Sequence, residues 1–231
     1  MLRHMVDWWC LSGVASGISY GLSNMYYQRG GHVYIAGCSS SRAQHGFKSK
    51  ETKVHVLWNN AGVSRPAVGS MSKQVIELQV AANCLGPFLF TQLLLSLIKS
   101  IAVSENSDLH CDFGSVRVGG LIMSELQSPP ADATRLYVNS KIGNMFLASE
   151  LARRYDIASV STNLGAASTN LFKYLAWPLL HFPAMAALTQ LFAGIYQDMD
   201  ATDLKGGYII PWGRVSRHLR DDLLHAVKQL E

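Results

Sequence analysis

The chain has 231 residues, of which 48% are hydrophobic and 16% are charged, whereas an ordinary globular domain has about 25% charged residues. This composition excludes intrinsic disorder, and it can build one substantial core without disulfides or a structural metal. The formal net charge of +4 is spread along the chain without any Lys/Arg block, so the sequence does not predict a nucleic-acid partner.

Short β-type runs alternate with longer helical patterns, which is typical of βαβ units and a parallel sheet. After a bulky, polar first strand at Asp7–Cys10, the predicted strands are Val33–Ala36, Val54–Trp58, Val116–Met123, Ser159–Leu164 and Tyr208–Ile210. Apolar residues at helical spacing predict helices over Gly17–Arg29, Lys73–Ser100 and Tyr137–Tyr155. The sequence therefore predicts one doubly wound α/β domain over residues 1–231.

A charge-free stretch follows the fifth of these strands. Tyr174–Tyr196 contains no Asp, Glu, Lys or Arg, and its length suits a membrane span. However, Pro178 and Pro183 interrupt it, and its polar side chains would need partners in lipid. We expect no transmembrane span but a substrate-covering segment over 172–207 that runs into a buried helix, with peripheral membrane contact as the alternative.

The cysteines and the first residues bear on the compartment. Cys10, Cys38, Cys84 and Cys111 lie far apart without a C-x-x-C pair or metal-ligand spacing, so we expect reduced thiols and no metal. The first fifteen residues lack the basic and apolar pattern of a secretory signal. We therefore expect a cytoplasmic protein.

A glycine turn precedes the first helix. Gly13 would permit a tight turn, Gly17 would let the backbone approach a pyrophosphate, and the helix would offer its first N–H groups. A G-x-x-x-G turn alone is a weak signal. The usual third glycine is replaced by Ser19, whose side chain we expect to disturb the close packing of helix and sheet.

Tyr137 and Lys141 lie four residues apart, and therefore on one helical face. A tyrosine at its reference pKa of about 10 is a poor acid–base group at neutral pH. A neighbouring ammonium favours the phenolate and makes proton transfer easier. An ordinary solvated pair is the alternative interpretation of the same spacing.

Taken together, the motifs resemble the short-chain dehydrogenase/reductase family from about Ser12 to Arg214. They occur in the family's order as Gly13-x-x-x-Gly17-Ile18, Asn59-Asn60-Ala61-Gly62, Asn83-Cys84-Leu85-Gly86-Pro87 and Tyr137-x-x-x-Lys141. Three stretches, Val54–Leu95, Tyr137–Tyr155 and Tyr208–Arg214, are similar to a fungal branch that acts on secondary metabolites or retinol-like carbonyl compounds. The resemblance implies a Rossmann-like fold and a carbonyl–alcohol oxidoreductase.

The resemblance also implies site roles. Tyr137 would be the general acid/base, Lys141 would assist it and hold the nicotinamide ribose, and Asn83 would support a proton-relay water. Ser124, which directly follows the predicted strand Val116–Met123 and lies 13 residues before the tyrosine, would bind the substrate carbonyl oxygen, with Ser128 as the fallback. The implied cofactor contacts are Gly13, Ser16, Gly17, Ile18, Asn59, Asn60, Ala61, Gly62, Tyr137, Lys141 and Thr169.

Cofactor and partners follow from the same resemblance. The fungal branch favours NADP but leaves NAD open, because Cys38 stands where NADP-using relatives carry Arg; Arg42 or Arg65 could substitute. The substrate would be a hydrophobic small molecule. The helices carrying Asn83 and Tyr137 commonly form a dimer interface in the family, and the apolar stretches 84–98 and 142–151 suit a homodimer.

The chain also departs from the family. Only 16 residues separate Gly37 from Val54, which suffices for one crossover helix. We therefore expect a six-stranded sheet that lacks the third, edge strand and leaves the adenine pocket open on one side. Leu164-Gly165 replaces the usual Pro-Gly before Thr169. These departures support an alternative: a truncated, non-catalytic relative that acts as an interaction partner or is an inactive gene product.

Overall fold

Seven strands form a single sheet in the order β2-β1-β3-β4-β5-β6-β7. The computed structural model describes residues 8–12, 17–36, 54–105, 120–168, 180–195, 205–216 and 222–223, with the backbone alone at 8–12, 36 and 99–105. The strands are β1 (Trp8–Ser12), β2 (His32–Ala36), β3 (Val54–Trp58), β4 (Ile98–Glu105), β5 (Ala158–Asn163), β6 (Tyr208–Ile210) and β7 (Arg214–Val215). All neighbours are parallel except β6 and β7, which pair antiparallel.

The strand order reverses at β1. From β1 the chain moves to β2 on one side and then to β3 on the other, and in sheets of this kind ligands bind outside the carboxyl ends of the strands at such a reversal. Within the described part of the chain no strand lies beyond β2, as expected for the missing third strand; residues 37–53 are outside that part. The expected count of six was wrong, because the short antiparallel β7 adds a strand.

Helices cover both faces of the sheet. They are α1 (Ile18–Tyr27), α2 (Leu78–Val80), α3 (Gly86–Leu94), α4 (Met123–Gln127), α5 (Ala133–Tyr155) and α6 (Pro183–Ile195). One core cluster joins α1 and α6 to β3 and β5 through residues such as Leu22, Ala187 and Val160. A second joins α3 and α5 to the other face of β3 through Leu94 and Leu151. The sheet is thus buried on both sides, as apolar parallel strands require.

The fourth strand lies elsewhere than predicted. The expected strand Val116–Met123 is wrong at its described end, because Met123 begins α4, and residues 116–119 lie outside the described part. The strand of the sheet is Ile98–Glu105, and its first three residues fall in the predicted helix Lys73–Ser100. Leu94, Ile98 and Ile101 recur at helical spacing, so their pattern fits a helix as well as a strand. The segment forms a strand because it pairs with β3 on one side and β5 on the other.

The helical run that precedes β4 is not uniform. After α2 comes a π-helical turn over Ala81–Leu85, then α3 and a 3₁₀ turn over Leu95–Leu97. The run Leu78–Leu97 has the length to cross a membrane, and an 18-residue stretch within it has a mean hydropathy of 1.6, with 28% of that stretch buried. Core helices of soluble proteins meet the same two criteria. The charge-free stretch Tyr174–Tyr196 contributes helix α6, which has 13 residues. Residues 171–179 lie outside the described part.

Candidate functional site

Helix α5 carries the predicted tyrosine and lysine. Asp132 caps the helix, since its carboxylate accepts from the backbone N–H groups of Thr134 and Arg135 at 2.9 and 3.1 Å, which explains a start earlier than predicted. Tyr137 and Lys141 are 3% and 6% exposed. The Lys141 Nζ lies 5.7 Å from the centre of the Tyr137 ring. A buried ammonium so close to a phenol is not the ordinary solvated pair of the alternative interpretation.

Asn83 joins this helix to the end of β3. Its Oδ1 accepts from the Val63 N–H at 2.7 Å, and its Nδ2 donates to the Val63 carbonyl at 2.8 Å and to the Ser140 Oγ at 2.9 Å. Ser140 in turn donates to the Tyr137 carbonyl at 2.7 Å. Both hydrogens of the Asn83 amide are therefore used. Asn83 also lies in a π-helical turn, which changes the backbone hydrogen-bond pattern of the helix at this point.

The turn Asn59–Gly62 lies beside Lys141. A Cβ on Gly62 would lie 2.9 Å from the Asn83 Oδ1 and 3.8 Å from the Lys141 Nζ, so only glycine fits. The Asn59 side chain is buried and donates to the Thr91 Oγ1 at 2.9 Å. Ala61 and Gly62 are exposed. Ala61 and Gly62 are thus the exposed part of the turn, while Asn59 anchors it to α3.

At the start of α1 the structure describes part of the glycine turn. Gly17 has φ 74° and ψ −135°, a conformation that essentially only glycine adopts, and no acidic residue lies in the first turn of the helix. The Ile18 side chain packs in the core. Ser19 is fully buried, and its Oγ accepts from the Asn60 Nδ2 at 2.5 Å. The expected disturbance by Ser19 is thus relieved by a hydrogen bond; Gly13 and Ser16 lie outside the described residues.

Ser124 does not lie at the end of a strand, contrary to the prediction. It is exposed on α4, and Ser128 follows that helix. The neighbouring Glu125 forms an ion pair with Arg135 and accepts from the Asn139 Nδ2 at 2.9 Å. These two contacts of Glu125 hold α4 against the start of α5. The strand expected to end at Met123 lies at Ile98–Glu105 instead, so only the expected position of Ser124 at a strand end is wrong.

Ser104 lies near the end of β4, the strand that takes the place of the predicted Val116–Met123. It is the penultimate residue of β4, and its backbone is in register with Thr162 of β5. The sequence did not predict it, because the predicted helix ends at Ser100 and no element was predicted for residues 101–115. The β-branched residues Ile98, Ile101 and Val103 are the signal that could have found it.

The side chain of His181 packs over the end of β5. Gly165 has φ 69°, and a Cβ there would lie 2.7 Å from the His181 ring. The His181 Nε2 lies 3.2 Å from the Leu164 carbonyl oxygen, and the ring packs on Trp212 with 5.1 Å between centres. His181 was not predicted from the sequence. Thr169, the expected cofactor contact after this strand, lies outside the described residues.

Titratable clusters elsewhere do not suggest a metal. Within the described ranges no group of three or more His, Cys, Asp and Glu side chains could hold one. Cys84 is not in a disulfide. The polar residues that lie together around α5 are Tyr137, Lys141, Asn83 and Ser140.

Comparisons with known proteins agree with this arrangement, although no family model matches the chain. A short-chain dehydrogenase/reductase, iacJ of Pestalotiopsis fici, is 29% identical over 94% of this chain and 83% of its own length. One of Armillaria gallica is 37% identical over 78% of this chain, which spans 62% of that relative. The 3-alpha-hydroxysteroid dehydrogenase of Pseudomonas sp. B-0831 superposes with a TM-score of 0.67 at 15% identity, covering 88% of this chain and 94% of the other.

The alignment with the Pestalotiopsis protein also bears on the missing segment. Its 277 positions exceed the 231 residues of the chain by 46, so at least 46 residues of that relative have no counterpart here. Both relatives are fungal, as the sequence motifs implied. From the shared fold, the Tyr–Lys–Asn arrangement and these relatives, the chain belongs to the short-chain dehydrogenase/reductase family of oxidoreductases, in its fungal secondary-metabolite branch.

Proposed function

We propose that this protein is an NADP-dependent oxidoreductase that interconverts a carbonyl and an alcohol on a hydrophobic small molecule in secondary metabolism. One observation carries the proposal: Tyr137 and Lys141 are both buried, with the ammonium 5.7 Å from the phenol ring, beside the exposed turn at Gly62. A proton donor and a cation are thus held together next to backbone that a ligand can reach.

The chemistry assigned to these residues is proton transfer. Reduction of a carbonyl adds a hydride to its carbon, which a bound reduced nicotinamide would supply. The Tyr137 hydroxyl donates the proton to the carbonyl oxygen and accepts it in the reverse direction. The Lys141 ammonium stabilises the phenolate that forms, and this attraction is strengthened where burial excludes water.

Several described residues fit a nicotinamide dinucleotide. Gly17 has the backbone conformation of a phosphate-binding turn, and the first turn of α1 carries no carboxylate to repel an anion. Ala61 and Gly62 would contact the adenosine side, and Lys141 the nicotinamide ribose. The structure of the Pseudomonas steroid dehydrogenase is a complex with NADH. NADP remains our choice because of the fungal branch, with Arg65 exposed and Arg42 outside the described residues.

The substrate-binding hydroxyl has two candidates. Ser124 keeps the expected spacing to Tyr137, and the Glu125–Arg135 ion pair holds its helix against α5. Ser104 has the better backbone position, since it lies near the carboxyl end of β4, between β3 and β5. Separate Ser104→Ala and Ser124→Ala variants decide between them. The true substrate contact loses at least about a hundredfold in kcat, as expected for one oxyanion donor, and the other variant stays within about threefold.

We assign the cover of the substrate to segment 172–207 of a single domain, and we keep the cytoplasm as the predicted compartment. The described part of that segment includes α6, whose buried Ala186, Ala187 and Ala193 pack in the core. Phe182 and Met185 at its start are exposed and suit an apolar substrate. Catalytic rates that rise with the apolar area of a carbonyl series test this assignment.

A cofactor titration and three variants test the enzyme proposal. Tyr137→Phe should bind NADPH as the wild type does and lose turnover, whereas Lys141→Ala should weaken both. Tyr27→Phe is the control, because Tyr27 is 77% exposed at the end of α1 and does not line the groove described below; it should leave turnover unchanged. A correctly folded wild type that oxidises no NADPH with any member of a broad carbonyl panel refutes the proposal.

A second copy of the chain is our proposed partner. A groove of about 440 Å³ runs between α3 and α5, lined by Cys84, Leu85, Phe88, Phe146, Leu147 and Leu151. Leu85, Phe88 and Leu89 are between 42% and 53% exposed. The rim of the groove carries one acidic and one basic residue, Glu150 and Arg154. A two-fold axis could therefore place the Glu150 of one copy against the Arg154 of the other, around an apolar centre.

Sedimentation tests the dimer. The wild type should sediment as a dimer at micromolar concentration, and Phe88→Asp should be a folded monomer because it buries a charge in the interface. Val75→Asp, at a side chain 79% exposed in a distant loop, is the control and should remain dimeric. A monomeric wild type refutes this part of the proposal.

The shortening of the chain favours one alternative, a non-catalytic relative. It is supported by the absence of counterparts for at least 46 residues of the Pestalotiopsis protein and by β2 as the outermost described strand. Loss of adenine contacts costs affinity, about tenfold for each 1.4 kcal/mol. Binding of NADPH or NADH in the low micromolar range excludes this alternative.

A further inference from the structure

A buried chain of hydrogen bonds links three elements that are distant in sequence. The Asn60 Nδ2, just after β3, donates to the Ser19 Oγ of α1 at 2.5 Å. The Gln190 Nε2 of α6 donates to the Asn60 Oδ1 at 2.9 Å. The backbone carbonyl of Gln190 also accepts from the Trp58 Nε1 at 3.1 Å. Helix α6 therefore holds the end of β3 at two residues.

Burial makes these bonds hard to replace. Ser19 and Gln190 are both fully buried, and Trp58 is 1% exposed, so water cannot take the place of a lost partner without rearrangement. A buried polar group left without its partner costs the desolvation of that group. The Asn60 side chain is therefore held at both of its polar atoms, by Ser19 and by Gln190.

These hydrogen bonds hold the turn Asn59–Gly62, which the proposed function assigns to the cofactor. On the α5 side, Asn83 bonds both backbone groups of Val63, the residue after Gly62. On the α1 and α6 side, Ser19 and Gln190 hold Asn60. Between these two anchors only Ala61 and Gly62 are exposed. The backbone offered to a ligand is thus fixed from both faces of the sheet.

We propose that Gln190 is a positioning residue of the cofactor site, acting through Asn60, and that Ser19 is its partner in that role. Gln190 lies 130 residues away from Asn60 in the chain and belongs to the segment assigned to the substrate. The pairing also explains how the chain tolerates a serine where its family has glycine, since the hydroxyl completes the bonding of Asn60. This inference rests on the proposed function, because the turn must bind a cofactor for its position to matter.

The first experiment compares Gln190→Met with Thr189→Val, both nearly equal in size to the original residue. Thr189 is the neighbouring, fully buried residue of α6, and its Oγ1 accepts from the Trp212 N–H at 3.1 Å, away from Asn60. Gln190→Met should raise the Kd for NADPH about tenfold, as loss of a buried hydrogen bond implies, with kcat at saturating cofactor within about twofold. Thr189→Val should leave the Kd unchanged.

A second readout needs no cofactor. In the cofactor-free protein, Gln190→Met should speed amide hydrogen exchange at residues 60–63 about tenfold, as expected when a buried restraint of this size is lost, whereas Thr189→Val should not. Ser19→Gly is a small change that tests the partner: it should raise the Kd about threefold alone and add nothing in the Gln190→Met background, since residues in one network are not additive.

The outcomes separate the two proposals. A wild type that binds neither NADPH nor NADH overturns the proposed function and this inference with it. A wild type that binds cofactor, together with a Gln190→Met Kd within twofold of it or a Thr189→Val effect of the same size, overturns this inference alone.

Discussion

Replacing Asn83 by alanine is the sharpest test of how the site is held together. The change removes three hydrogen bonds of 2.7, 2.8 and 2.9 Å from a side chain that is 0% exposed. At about 1 kcal/mol each, the free energy of unfolding should fall by about 3 kcal/mol. For a chain of this size the melting temperature should then drop by roughly 9 °C. Because Val63 loses its anchor beside Lys141, kcat/KM should fall by about a hundredfold.

Calorimetry and steady-state kinetics on matched variants check this reasoning. Ser140→Ala removes one of the three bonds and should cost about 1–2 kcal/mol of stability, with a smaller loss of kcat/KM. Asn24→Ala replaces an exposed asparagine of α1 and should change stability by less than about 0.5 kcal/mol. An Asn83→Ala protein that melts within 2 °C of the wild type and keeps its turnover would refute the idea that this side chain clamps the turn to α5.

Two further predictions concern packing and pH. A Cβ on Gly194 would overlap the buried Trp58 ring, so Gly194→Ala should lower the free energy of unfolding by about 3 kcal/mol in chemical denaturation; unchanged stability would contradict that contact. Two arginines, Arg153 first, lower the pKa of Glu150 from 4.5 to about 2. The carboxylate therefore stabilises the fold above pH 4.5, and this contribution is lost as the pH falls towards 2. Glu150→Gln should cost about 1 kcal/mol at pH 7, because the arginines are half exposed, and the difference should shrink below pH 4.5; a difference independent of pH would contradict it.

Local patterns predicted most elements well. Strands β3 and β6 have the predicted bounds, and α1 lies within the predicted helix, because short apolar runs bounded by polar residues or glycine and a regular helical spacing are local signals. The prediction failed between Leu94 and Met123. There the apolar spacing fits two structures, and pairing with strands distant in sequence selects one of them. The error passed directly to Ser124, whose assignment depended on the strand before it.

For the candidate site, the sequence by itself determined the chemistry: a phenol and an amine one helical turn apart, an asparagine on another helix and glycines where backbone must stay bare. These are local properties of residue type and spacing. Only the tertiary structure decided how they are held. The Asn83 bonds to Val63 and Ser140, and the Gln190 bonds to Asn60, join residues 20, 57 and 130 positions apart. A buried polar group takes whichever partner folding brings within reach, and no local pattern encodes that partner.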